Sequence, residues 1–218
     1  MTIPPKPRVC TDDRRKAIAA AARAIIVEKG FEGLRTRDIA ERVGINIATF
    51  HYHVPTKEAL IELVVETMKA EFRAQSIARP RDHLSPAERL EHEFYDFEEM
   101  FTERQELIRL MSEMTERARR DEAVAAGLKP MLRRWRDMVA AILADGKADG
   151  TFRPDLDPVP AAQMLIGAMT GFCRMGDRSS EAFAQLTAEL RRAVRNPNSV
   201  STKSAAPMRQ ARRAAHQE

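Results

Sequence analysis

Cysteine is almost missing from this 218-residue chain, and the two present, Cys10 and Cys173, stand in no metal-binding or redox spacing. A disulfide scaffold and a zinc module are thereby excluded, and both residues are expected as free thiols of a reducing compartment. Aromatic residues are scarce at 6%, and there are only 9 glycines. That poverty disfavours an all-β sandwich and suits packed helices. Long apolar runs are missing too. The opening MTIPPKPRVCTDDRRK holds no signal-peptide core, and AAQMLIGAMTGFC is too short to span a membrane and carries Gln163. A cytoplasmic protein is the expectation. What the chain does have is 44% hydrophobic and 31% charged residues with 11 Met, the composition of a soluble globular protein long enough to bury a core without staples.

Charge is distributed unevenly. Residues 1–60 hold 11 basic and 7 acidic residues, residues 61–190 hold 18 and 24, and residues 191–218 hold 7 and 1. A polyanion would favour the first sixty residues or the tail and be repelled by the middle.

Periodicity reads as helix throughout, and no run alternates like a strand. Thr11 or Asp12 can cap a helix to about Lys29 with Ile18, Ala21, Ala22 and Ile25 on one face, ended by Gly30. Thr36 is placed to cap Arg37–Val43, Gly44 to stop it in the left-handed conformation, and Asn46 to cap Ile47–His53 before Pro55. Thr56 opens a segment from Lys57 to about Ile77, and Ser85-Pro86-Ala87-Glu88 is a capping box with proline at N1. Further helices carry Leu107 to Ala118 and, after Pro130, Met131 to Ile142. Asp157-Pro158 opens a helix that is apolar on nearly all sides, and Ser179 or Ser180 opens the last. The residues from Asn196 on read as a disordered basic tail.

The informative stretch is TRDIAERVGINIATFHYHVPTK, residues 36–57. Two short helices around a glycine turn have the form of a helix-turn-helix, which presents its second helix to the DNA major groove. If Phe50 and Val54 face inward with Ile45, then Ile47, Ala48, Thr49, His51, Tyr52 and His53 are left for the outer faces. Ile47 or Ala48 can touch a thymine methyl, Thr49 a base edge or phosphate, and Tyr52, His53 and Lys57 phosphates. Thr36 and Arg37, at the positive end of the second helix, complete the candidate DNA-binding set.

With RRKAIAAAARAIIVEKGF ahead of them, Thr36-Arg37-Asp38-Ile39-Ala40, Gly44-Ile45 and Thr49-Phe50-His51-Tyr52-His53-Val54 leading to Lys57 resemble the DNA-binding domain of the TetR (tetracycline-repressor-like) family of transcriptional regulators. One departure is His51, which stands where members usually carry tyrosine. The resemblance places Thr36, Arg37, Ile47, Ala48, Thr49, His51, Tyr52, His53 and Lys57 at family DNA-contact positions. It further implies a second, variable helical domain that dimerises through its last two helices and often binds a small-molecule inducer. DGTFRPDLDP also looks familiar from that family.

The expectation is therefore an all-α chain: a helix-turn-helix domain over residues 11–57, a helical effector-binding and dimerisation bundle over 58–195, and the tail 196–218. Its partners would be a palindromic double-stranded operator, a second copy of itself and an apolar or amphipathic effector, with repression the expected mode and no catalysis, cofactor or metal. Candidate effector-lining residues are Phe97, Phe101, Met111, Met114, Trp135, Met138, Met164, Met169 and Phe172, which fit a helical core as well as a cavity. His51 and His53 point apart on a helix with no third ligand, and His83, His92 and the nearby glutamates lack any nucleophile or phosphate loop. Two rivals make other predictions. A nonspecific architectural DNA protein would bind with indifference to sequence, and a helical enzyme with an incidental hairpin would turn over a ligand and leave no operator footprint.

Overall fold

The computed structural model describes residues 11–175 and 178–198. Among them are nine α-helices: α1 Thr11–Lys29, α2 Thr36–Val43, α3 Ile47–His53, α4 Lys57–Ala78, α5 Pro86–Glu103, α6 Gln105–Ala118, α7 Glu122–Ala148, α8 Pro158–Phe172 and α9 Ser180–Val194. A 3-10 turn, Phe31–Gly33, follows α1. The only β-pairing among the described residues is one isolated bridge, Phe152 with Arg195. The all-α expectation holds. Cys10 and all of the basic tail beyond Asn198 lie outside the described residues.

Local signals explain most boundaries. Asn46, Thr56, Asp157 and Ser179 each accept a backbone amide of the helix they precede. The Ser85–Glu88 capping box forms in both directions: Glu88 Oε2 accepts the Ser85 amide at 2.9 Å, and Ser85 Oγ accepts the Glu88 amide at 3.3 Å. Two expectations fail. Thr36 is the first residue of α2 rather than its cap; the cap position belongs to Arg35, whose side chain accepts nothing. And α7 does not begin after Pro130 but at Glu122, running unbroken through the proline. Proline removes one hydrogen bond to the carbonyl four residues earlier. Here both Pro130 and Ala126 are exposed, so the loss falls on the solvent side.

The chain divides into two compact units. One takes the described residues up to Pro80 together with Asp96–Trp135. In it α1 packs against α2, α3, α4 and α6, burying Ile18, Ile25 and Ile26 with Ile39, Phe50, Met68, Leu110 and Met114. The other takes Arg81–Tyr95 and the described residues from Arg136 onward. There α8 packs on α9 through Leu165, Met169 and Phe172 against Phe183 and Leu190, with the Phe172 and Phe183 rings 5.2 Å apart. The segment before α8 is pinned to the end of α9: the Arg153 amide donates to the Val194 carbonyl at 3.0 Å and the Asn196 amide to Thr151 at 3.2 Å. Phe152 then lies so close to Gly146 that a Cβ there would sit 2.2 Å from its ring, which is why α7 needs glycine at that turn.

Candidate nucleic-acid interface

The reading head is built on α1. Phe50 and Val54, each 1% exposed, fix the inner face of α3 against it, and Ile39 and Ala40 do the same for α2. Between the two helices the chain reverses at Gly44, in the left-handed region at φ 70°, and the Ile45 amide donates back to the Ala40 carbonyl at 2.9 Å. Asn46 Oδ1 then accepts the Thr49 amide at 2.7 Å, restarting the helix one turn later. Arg15 on α1 donates from Nη1 to the His53 carbonyl at 3.0 Å and holds the far end of α3. Nothing in the sequence singled Arg15 out of the run Arg14-Arg15-Lys16, because its target is a backbone oxygen 38 residues away.

With the inner face so fixed, the outer face follows. Ile47 is 40% exposed and Tyr52 81%, Ala48 and His51 are exposed, and Thr49 and His53 are half-buried. Thr36 and Arg37 are exposed at the start of α2, where the first-turn amides lack a side-chain cap. Arg35 and Arg37 have no ion-pair partner among the described residues. Eight of the nine candidate DNA-binding residues thus lie on α2 and α3, and the ninth, Lys57, opens α4.

Lys57 is engaged. Its Nζ donates to Asp121 Oδ2 at 2.5 Å. Asp121, its side chain only 8% exposed, stands immediately before α7 and also accepts from Arg117 Nε at 3.0 Å. The Lys57 ammonium chiefly, with Arg117 and the Val124 amide, brings the Asp121 carboxyl down to about 2. Arg117 in turn donates to Glu32 at 2.7 Å, and its guanidinium lies 5.6 Å from the Phe31 ring centre. The sequence offered one overlooked signal for this cluster: Asp121 before Glu122-Ala123-Val124-Ala125 is a helix-start pattern.

The candidate effector residues are scattered. Phe97, Phe101 and Trp135 come together in one aromatic group, with Phe97 stacked on Trp135 at 6.1 Å and tilted against Phe101 at 6.3 Å. Met114 is fully buried in the first unit's core and Met111 half-buried beside it on α6. Met169 and Phe172 are core residues of the second unit, whereas Met138 and Met164 are 43% and 42% exposed. A groove of about 300 Å³ on the first unit is lined by none of them, but by Ala24, Val27, Glu28, Gln105, Glu106 and Arg109. Among the described residues no group of three or more His, Cys, Asp or Glu could hold a metal ion, and no helix is long and apolar enough to cross a membrane.

Comparison with known proteins meets this geometry at both ends of the chain. Residues 18–64 match the model for bacterial regulatory proteins of the tetR family, and residues 86–194 that for the C-terminal region of BetI-type transcriptional repressors. The tetracycline repressor protein class A from transposon 1721 of Escherichia coli is 35% identical over 65 residues, 30% of this chain and 30% of that repressor's length. The HTH-type transcriptional regulator UidR of Escherichia coli K12 is 27% identical over 164 residues, covering 72% of this chain and 78% of UidR. A transcriptional regulator from Saccharomonospora viridis, solved in complex with choline, superposes with a TM-score of 0.73 at 20% identity, over 84% of this chain and 98% of that one. With an exposed recognition helix on a buried scaffold, one family model over that scaffold and another over half of the chain, the protein belongs to the TetR family of bacterial transcriptional regulators.

Proposed function

We propose that the protein is a sequence-specific repressor that binds a palindromic operator as a homodimer and is released by an apolar or amphipathic small molecule. The observation that carries the reading is the two-faced α3: a seven-residue helix with Phe50 fully buried and Ile47 and Tyr52 exposed on the other side. Apolar and aromatic atoms on so short a helix gain by leaving water, and a major groove offers thymine methyls and phosphates at the required reach. Thr36, Arg37, Thr49, His51 and His53 surround them with hydrogen-bonding and cationic groups, and Ala48 leaves room for close approach.

Dimerisation is supported by α8. Val159 and Met164 are exposed, and Cβ atoms added at Gly167 and Gly171 would meet nothing within 4 Å. That apolar, flattened face is suited to a helix of a second copy. Two reading heads on one duplex must then sit about 34 Å apart or a near multiple, which makes the operator palindromic. For the effector, the supporting feature is the aromatic group of Phe97, Phe101 and Trp135. Ring faces take apolar molecules and also quaternary ammonium groups, of which the choline of the Saccharomonospora regulator is one. An effector acts only through its differential affinity for the DNA-bound and free states.

Selection of bound duplexes from a random pool at near-physiological salt tests the reading. A recovered palindrome with half-sites one turn apart is the expected result. Binding without sequence preference, or none, overturns it.

A further inference from the structure

The Lys57–Asp121 pair has a consequence for operator affinity. Lys57 is half exposed at the first position of α4, directly after the recognition helix, whereas the carboxylate it meets is buried and belongs to a residue 64 positions further on. Asp121 does not depend on Lys57 for its own burial. Arg117 Nε and the Val124 amide both remain on it, and Arg117 is itself anchored at Glu32 and Phe31. The ammonium can therefore leave without stranding a bare buried charge. The reverse does not hold for a duplex. A phosphate drawn to Lys57 while Asp121 still holds it would place two anions on one ammonium, and their repulsion opposes binding.

We propose that Asp121 restrains operator binding by competing with an operator phosphate for the Lys57 ammonium. The carboxylate thus acts as an internal stand-in for DNA, offered by the corner between α6 and α7, and binding exchanges one anion for the other. The inference rests on the DNA-binding reading of Lys57. It assigns to Asp121 a role opposite in sign to that of the residues around α3: it touches no DNA, and it lowers affinity.

Asp121→Asn is the informative variant, because asparagine caps a helix as well as aspartate and keeps one acceptor oxygen for the capping amide, while losing the charge and the second oxygen that hold Lys57 and Arg117. On the duplex recovered by selection, the full-length variant is expected to bind about two- to fivefold more tightly per protomer. The slope of log K against log salt is expected to stay as in wild type, since Lys57 neutralises one phosphate per protomer in both proteins and only its competitor is lost. In a Lys57→Ala background the slope should fall by about 0.9 per protomer and Asp121→Asn should bring no gain in affinity, which separates release of Lys57 from release of Arg117. Asp121→Ser, another good cap, guards against a folding defect and should reproduce the gain. If wild-type protein binds its palindrome but Asp121→Asn and Asp121→Ser bind no better, or bind better with Lys57 absent, Asp121 is a helix cap alone and the inference fails. If wild-type protein selects no duplex, the DNA-binding reading fails and takes this one with it.

Discussion

Phe50 and Tyr52 stand two positions apart on α3, and their truncations should separate stability from DNA binding. Phe50 is 1% exposed and Tyr52 81%. Phe50→Ala removes a whole ring from the packed junction of α1, α2 and α3, which costs about 3–5 kcal/mol including the cavity left behind. For a chain of this size each kcal/mol lowers the melting temperature by about 2–4 °C, so a drop of roughly 6–20 °C is expected. Tyr52→Ala removes a side chain that touches little in the folded protein and should leave stability within about 0.5 kcal/mol. Its effect belongs to the complex. A hydroxyl hydrogen bond to a charged phosphate contributes about 1.5 kcal/mol, and two protomers on one operator double it to about 3 kcal/mol, roughly a hundredfold in affinity. Because tyrosine carries no charge, the salt slope should stay as it was, unlike the change expected at Lys57. Thermal unfolding and fluorescence anisotropy with a labelled operator measure both quantities on the same samples. Should Tyr52→Ala melt as early as Phe50→Ala and bind operator like wild type, the outer surface of α3 would be a packing surface and the recognition reading would be wrong.

Other positions test other parts of the reasoning. Gly44 sits at φ 70° with nothing within 4 Å of an added Cβ, so Gly44→Ala meets no steric clash and isolates the backbone cost, about 1 kcal/mol, while Gly44→Asn should recover part of it; equal melting of all three proteins would remove the left-handed turn from the account. Asp121, depressed from 3.8 to about 2, should stabilise the fold relative to Asp121→Asn above about pH 4, and that advantage should fade as pH falls toward 2. Urea midpoints of the two proteins across this range decide it, and a gap that stays constant down to pH 2 contradicts the ion pairing. Gly167→Leu points a large side chain into open space within one chain, so folding should persist while sedimentation equilibrium shows 24.6 kDa monomers in place of dimers; a dimeric variant would move the interface away from this face of α8.

How far the fold was legible depended on whether each signal was local. Asn46, Thr56, Ser85 with Glu88, Asp157 and Ser179 act on amides two or three residues ahead, and each does in the structure what its position in the sequence suggests. Arg35 shows the limit of that logic. Thr36 is the better capping residue, yet the helix begins on it, because burial of Ile39 and Ala40 against α1 sets the rotation of α2 and the cap falls on whichever residue precedes. Pro130 shows another. A proline marks a helix boundary only where the lost hydrogen bond is costly, and Pro130 and Ala126 both lie on the exposed side of a 27-residue helix, where water can replace it. Burial is a tertiary property, and a one-dimensional pattern reports it only where periodicity is strong.

The same distinction governs the site. The outer face of α3 could be read because burial of Phe50 and Val54 in a seven-residue helix determines by geometry what is left over. Lys57 could be read as a cation beside that face, but not as one already occupied, since its partner is 64 residues away, at the corner just ahead of α7. Methionines and aromatics carried less information still. Met114 and Met169 are sealed in cores and Met138 and Met164 lie open to solvent, though all four share a helical period and a hydrophobic side chain. Phe97, Phe101 and Trp135 differ from them in one respect, that three rings from α5 and α7 converge. Convergence from separate elements distinguishes a candidate effector site from a stripe, and it enters only with the third dimension.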